Sequence, residues 1–118
     1  MPRINITSIT CHVPDESDKD EMYLKYKGEK IWPTDSSFFR IDVDENVAIH
    51  HTFEVNEDWV ELELWDWDLL SANDHLGTFK FKVDDLPGAY STTMIRNHEE
   101  TQSASYLMHW EILKEEDQ

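Results

Sequence analysis

The chain has 118 residues, enough to bury one hydrophobic core and too few for two, so residues 1–118 are read as a single domain. It carries 26 Asp plus Glu against 10 Lys plus Arg, and the net charge of −16 excludes unaided attraction to nucleic acid or anionic lipid. A hydrophobic content of 39% with five Trp, four Tyr and five Phe excludes a disordered acidic tail, and the one cysteine, Cys11, excludes an internal disulfide framework.

In chain order, INITSITCHV (4–13) places Ile4 and Ile6 on one face and then continues with Ile9, Cys11 and Val13, a change of phase that predicts a bulged strand near Thr7 and Ser8. MYLKYK alternates Met22, Leu24 and Tyr26 against Tyr23, Lys25 and Lys27. FFRIDV (38–43) and HTFEV (51–55) are shorter strand-like runs. In WVELELWDWD, Val60, Leu62 and Leu64 share one face while Glu61, Glu63 and Trp65 share the other, a period of two. TFKFKV (78–83) and SYLMHWEIL (105–113) complete the set. Acidic or small polar loops separate these runs at 14–21, 42–46, 68–74 and 83–91, the last with room for a short helical turn. No window of the chain has a 3.6-residue period. Seven or eight short strands with polar turns predict an all-β antiparallel sandwich.

The stretch LELWDWDLLSANDHLG (62–77) sets three aspartates, Asp66, Asp68 and Asp74, around two tryptophans and two leucines. By strand parity Asp66 and Asp68 continue the face of Val60, Leu62 and Leu64, which aims their carboxylates into the mouth between the sheets. No Lys or Arg lies between 41 and 79 to pair with them. Two like charges about 4 Å apart repel by about 1 kcal/mol in water and several-fold more in partly buried surroundings. A hard divalent cation offsets that cost, and calcium accepts about 6 to 8 oxygen ligands from flexible loops. The competing readings are a solvated acidic turn and the manganese-binding Asp-x-Asp of sugar transferases, which needs a much larger α/β domain.

WDWDLLSANDHLG resembles the third calcium-binding loop of C2 domains, where Asp-x-Asp is followed six residues later by another Asp and then by a hydrophobic–Gly pair, here Leu76-Gly77. DEMYLKYKG is similar to the family's strand after the first calcium loop, with Glu21 in place of the usual Asp and Met22 in place of Pro. The similarity spans Ile4 to Leu113, with motif-level matches at 15–32 and 60–83; KIWPTDSSFFRIDVDENVAIHH matches the family's middle segment poorly. The resemblance implies an eight-stranded sandwich of type II topology, the circularly permuted order in which SYLMHWEIL follows far downstream of the first strand. It also implies a calcium site of Asp15, Glu21, Asp66, Asp68 and Asp74, with Asp20 able to substitute for Glu21 and with the intervening Trp67 included. Bound calcium would attach the domain to phospholipid membranes, with Leu69 and Leu70 dipping into the bilayer and Lys25, Lys27 and Lys30 as a basic patch.

Two other function classes fit the same residues. One is a calcium-stabilised protein-interaction or oligomerisation module with a protein partner. The other is a carbohydrate-binding sandwich in which Trp65 and Trp67 stack on sugar rings. His50 and His51 point to opposite faces of a strand, and His12, His75, His98 and His109 show no ligand spacing. No GxSxG, Gly-rich phosphate loop or other nucleophile–base pattern is present, so a non-enzyme is expected. MPRINITSITCH has no basic segment followed by an apolar run, and no stretch reaches the roughly 20 apolar residues of a membrane-spanning helix. A cytoplasmic or peripheral-membrane location is therefore expected, with leaderless export invisible to sequence.

Overall fold

The structure is a computed structural model that describes residues 2–15, 19–84, 86–97 and 104–114. Residues 16–18 of the first acidic loop, Asp85 and His98 lie outside the described residues. The described residues form ten strands: β1 (Arg3–Val13), β2 (Asp20–Tyr26), β3 (Glu29–Trp32), β4 (Phe39–Ile41), β5 (Asn46–Glu54), β6 (Trp59–Asp66), β7 (Asp74–Lys82), β8 (Gly88–Thr93), β9 (Ile95–Arg96) and β10 (Ser105–Leu113). They make two antiparallel sheets, one ordered β5-β1-β10-β8 and one ordered β3-β2-β6-β7-β9, with β4 also pairing with β2. The last strand lies against the first, as the permuted order expected from the sequence requires.

The described residues contain no helix, and so none long and apolar enough to cross a membrane. Between the sheets, Ile4, Ile6, Ile9 and Cys11 of β1 meet Met22 and Leu24 of β2, with Val60, Leu62 and Leu64 of β6 and Tyr106, Met108 and Trp110 of β10 completing the centre. The phase change in β1 is a bulge: the register with both β10 and β5 slips between Ile6 and Ser8, which keeps Ile4 and Ile6 on the same inner face as Ile9 and Cys11. A second slip, between Leu64 and Trp65, leaves Leu76 unmatched on β7 and lets it join Phe79 and Phe81 in the core.

Ten strands stand where eight were expected. The run along the β2 edge is split into β3 and β4, because Pro33 has no N–H for the ladder and the chain leaves the sheet until Phe39. Among the described residues of 83–90 the expected helical turn is absent, since Val83, Asp84, Leu86 and Pro87 are not helical and Gly88–Tyr90 already belong to β8. β8 is an edge strand of small and polar residues, GAYSTT, exposed along most of its length, so hydrophobic alternation does not mark it. β5 begins at Asn46, five residues before the expected run, because the bulge opposite Thr7 falls at Ile49 and His50 and breaks the alternation there.

Gly77 closes the pattern at the far end of the acidic loop because β7 and β9 approach too closely for a side chain. A Cβ there would lie 2.5 Å from the Ile95 carbonyl oxygen and 2.7 Å from Met94 Cγ. Gly77→Ala is therefore expected to destabilise the fold by about 1–3 kcal/mol through forced separation of these strands. Urea denaturation checks this, and a change under about 0.5 kcal/mol would contradict it.

Candidate metal centre at the loop end of the sandwich

Among the described residues, three connections bring acidic side chains to one end of the sandwich. The β1–β2 loop begins at Pro14, the β6–β7 loop spans 67–73, and the β4–β5 turn spans 42–45. That last turn hangs on the end of β1: the Asp44 amide donates to the Cys11 carbonyl (2.7 Å) and the Cys11 amide to the Glu45 carbonyl (2.9 Å). Asp44 has a φ of 66°, a left-handed conformation that Asp tolerates better than most residues.

Strand parity holds for Asp66. It is the last residue of β6, only 1% exposed, and lies between Met22 of β2 and Asp74 of β7 in the sheet register. Two acids directly across a ladder repel. One carboxylate oxygen each from Asp15, Asp66 and Asp74 falls within 4.8 Å of the others, with Asp66 buried, Asp15 half-buried and Asp74 exposed. Oxygens that share a calcium ion at about 2.3–2.6 Å lie no more than about 5 Å apart, so this donor set fits a hard divalent cation.

The backbone around the triad is tied down. The Glu21 amide donates to Asp66 Oδ1 (2.9 Å), and the Trp67 amide donates to the Glu21 carbonyl (2.7 Å). The Asp68 amide donates to Asn73 Oδ1 (2.8 Å), while Asn73 Nδ2 donates to the Tyr23 hydroxyl (2.8 Å), anchoring the third loop to β2. Burial raises the pKa of Tyr23, against the lowering effect of the Asn73 contact. The phenol therefore stays protonated at neutral pH.

The remaining sequence-expected residues are placed as follows. Asp68 lies past the end of β6, where strand parity no longer governs direction, and its carboxylate turns back on its own loop. Oδ1 accepts the Leu70 amide (2.9 Å) and Oδ2 the Ser71 hydroxyl (2.8 Å), an Asx-type turn. Glu21 points to the outer face, its Oε2 3.7 Å from Arg40 Nε. Asp20 is fully buried beneath the first loop. Trp67 stacks on Phe38 (4.8 Å between centroids). Leu69 and Leu70 are 76% and 92% exposed, at the tip.

Of the three lysines, Lys25 lies over the Trp65 ring (4.5 Å), Lys27 pairs with Glu57 (2.8 Å) and Lys30 donates to the Ser36 carbonyl. Trp65 also stacks on His75 (4.9 Å, 14°), so both tryptophans of the sugar-binding reading carry an aromatic neighbour from the protein itself. Sequence reasoning missed Val43, 48% exposed in the β4–β5 turn at the same end as Leu69 and Leu70. The signal was an apolar residue isolated among acids in DVDEN, visible only once that loop is known to join the other two.

No protein-family model matches the chain, and no curated protein matches it. Among solved structures the chain is similar to a C2 domain, the one designated A, of a plant extended synaptotagmin 1, with a TM-score of 0.55 and 10% identity over 97% of this chain and 95% of that one. At that identity the likeness establishes the fold: an all-β sandwich of the C2 type.

The hydrogen bonds from Leu70 and Ser71 hold the Asp68 carboxyl below the ordinary aspartate value of 3.8. Because the folded carboxylate takes up its proton at lower pH than the unfolded one, these contacts favour the fold above that value and are lost as pH falls through the depressed pKa. In calcium-free buffer, carbon-detected NMR titration should show Asp68 below 3.8, and Ser71→Ala should move it upward. An Asp68 pKa at or above 3.8 in the parent chain would contradict the loop geometry.

Proposed function

We propose, from the C2 fold as premise, that the chain is a calcium-binding module that attaches to phospholipid membranes when calcium is bound. The observation that carries this reading is the coincidence at one end of two features. The Asp15, Asp66 and Asp74 oxygens converge within 4.8 Å, and the apolar tips Leu69, Leu70 and Val43 are exposed beside them. Asp15, Asp66 and Asp74 would hold the ion, with Asp68 as a further donor from the same loop. Bound calcium supplies positive charge that lipid phosphate oxygens can share.

The chain's own residues supply the rest. Asp66 fixes the depth of the site, because it is set at the end of a buried strand and held by the Glu21 amide. Tyr23 and Asn73 hold the third loop so that Leu69 and Leu70 face outward. At a net charge of −16 the calcium-free tip is repelled by an anionic leaflet, and neutralising the tip removes that barrier. The role is binding and carries no catalytic step.

Calcium at 100 times its dissociation constant stabilises the folded state by about 2.7 kcal/mol, a rise in Tm of roughly 10 °C for a domain of this size. Heating scans should show that rise with calcium and a smaller one with magnesium, which demands a tighter octahedron. Asp66→Asn should abolish the rise, and Asp58→Asn should leave it. In sedimentation with phosphatidylserine-containing vesicles, Leu69→Ser with Leu70→Ser should weaken calcium-dependent binding at least about tenfold while calcium affinity without lipid holds. Calcium binding without vesicle binding by the parent chain would replace the membrane role with that of a calcium-stabilised interaction module.

A further inference from the structure

Behind the proposed metal centre lies a buried polar pair that the carboxylate triad does not include. Asp20 opens β2, faces inward with Met22 and Leu24, and is fully buried. Its Oδ2 accepts two hydrogen bonds, one from the backbone amide of Asp15 (2.8 Å) and one from the hydroxyl of Tyr106. Tyr106 is itself fully buried on β10, paired with Cys11 one residue inside the Val13–Ser105 pair that ends the β1–β10 ladder.

We propose that Tyr106 and Asp20 are positioning residues for cation capture: Tyr106 locks the Asp20 carboxylate in place, and Asp20 holds the Asp15 backbone so that the Asp15 side chain meets Asp66 and Asp74. The inference deepens the calcium-binding reading and rests on it.

Three features carry the assignment. Asp15 is the one member of the triad that no strand fixes, since β1 ends at Val13 and β2 begins at Asp20. Asp66 and Asp74 are placed by the β6–β7 ladder, so the register that assembles the site is completed only when the first loop is restrained. The Asp20 contact supplies that restraint five residues away along the chain, through a 2.8 Å bond from the Asp15 amide to a carboxyl oxygen that is itself held by Tyr106. Glu21, whose sequence position is that of the family's usual Asp, is on the outer face beside Arg40, which leaves Asp20 as the acid of this pair that faces the first loop.

Tyr106 is suited to the task because it is a permanent donor. Burial first, and then the adjacent Asp20 charge, push its pKa far upward, so it keeps its proton throughout the working range. Its hydroxyl also lies against Cys11, whose thiol burial pushes up to about 11. Both groups remain neutral at physiological pH and sit against Asp20.

Tyr106→Phe deletes one hydroxyl and leaves every carboxylate of the tip in place. Calorimetric titration at 20 °C should show its calcium dissociation constant raised at least fivefold over the parent chain. In chelator, the Asp15 amide proton resonance should move upfield as its acceptor loosens. Thr92→Val serves as the structural comparison, because it removes the Trp110 indole hydrogen bond from the same sheet away from the tip. That variant should lose thermal stability with calcium affinity within twofold of the parent.

If Tyr106→Phe does not fold, Asp20→Asn carries the same two readouts. A folded Tyr106→Phe with parental calcium affinity and an unmoved Asp15 amide overturns the proposal, as does an equal loss of affinity in Thr92→Val. A parent chain that binds no calcium at 10 mM overturns the calcium reading itself, and the parent titration reports that separately from any variant.

Discussion

Asp66 carries a charge to the edge of a dry core because β6 alternates with period two and ends on an inward position. Val60, Leu62 and Leu64 bury that face, and the next inward residue is an acid with 1% exposure. A carboxylate in such a place is costly unless hydrogen-bonded and charge-compensated. The protein supplies the first part through the Glu21 amide. Asp74 lies directly across the ladder, and one oxygen of Asp15 comes over from the first loop to within 4.8 Å of both. Three converging carboxylates are an arrangement that a divalent cation would relieve, which is the premise of the calcium-binding reading proposed above.

The same premise explains how the end of the sandwich divides its work. Rigid parts hold the acids: the β6–β7 ladder carries Asp66 and Asp74, and the buried Asp20–Tyr106 pair bonds the Asp15 amide. Asn73 and Tyr23 pin the base of the third loop, while its tip is left exposed with Leu69 and Leu70. Asp68 ties its own loop through Leu70 and Ser71, which on the proposed reading shapes the tip before any ion arrives. A pre-shaped site loses less conformational entropy on binding than one assembled by the ligand.

Much of this was legible in the sequence, for physical reasons that differ between elements. β6 and β7 declared themselves because both faces differ sharply in polarity, and the bulge in β1 because isoleucines change phase around Thr7 and Ser8. β8 did not, since an exposed edge strand of small residues has no buried face to mark it. The burial of Asp66 followed from parity, whereas the turning of Asp68 onto its own loop could not, because parity stops where the strand does. Asp20 and Glu21 are neighbours that sequence alone cannot rank. The inward face of β2 decides between them, giving the buried position to Asp20 and the Arg40 contact to Glu21. Val43 joined the tip only through the hydrogen bonds that hang its turn on Cys11.

The central claim is that calcium is received where the three loops meet. Titrating calcium into the isotopically labelled chain while recording amide proton–nitrogen spectra tests it at residue level. Saturable shifts concentrated at Asp15, at 20–21, at 42–45 and at 66–75, with the amides at the opposite end around Lys27 and Glu57 unmoved, are the result expected. Spectra that do not change up to 10 mM calcium, or changes spread evenly over the acidic surface, would contradict it.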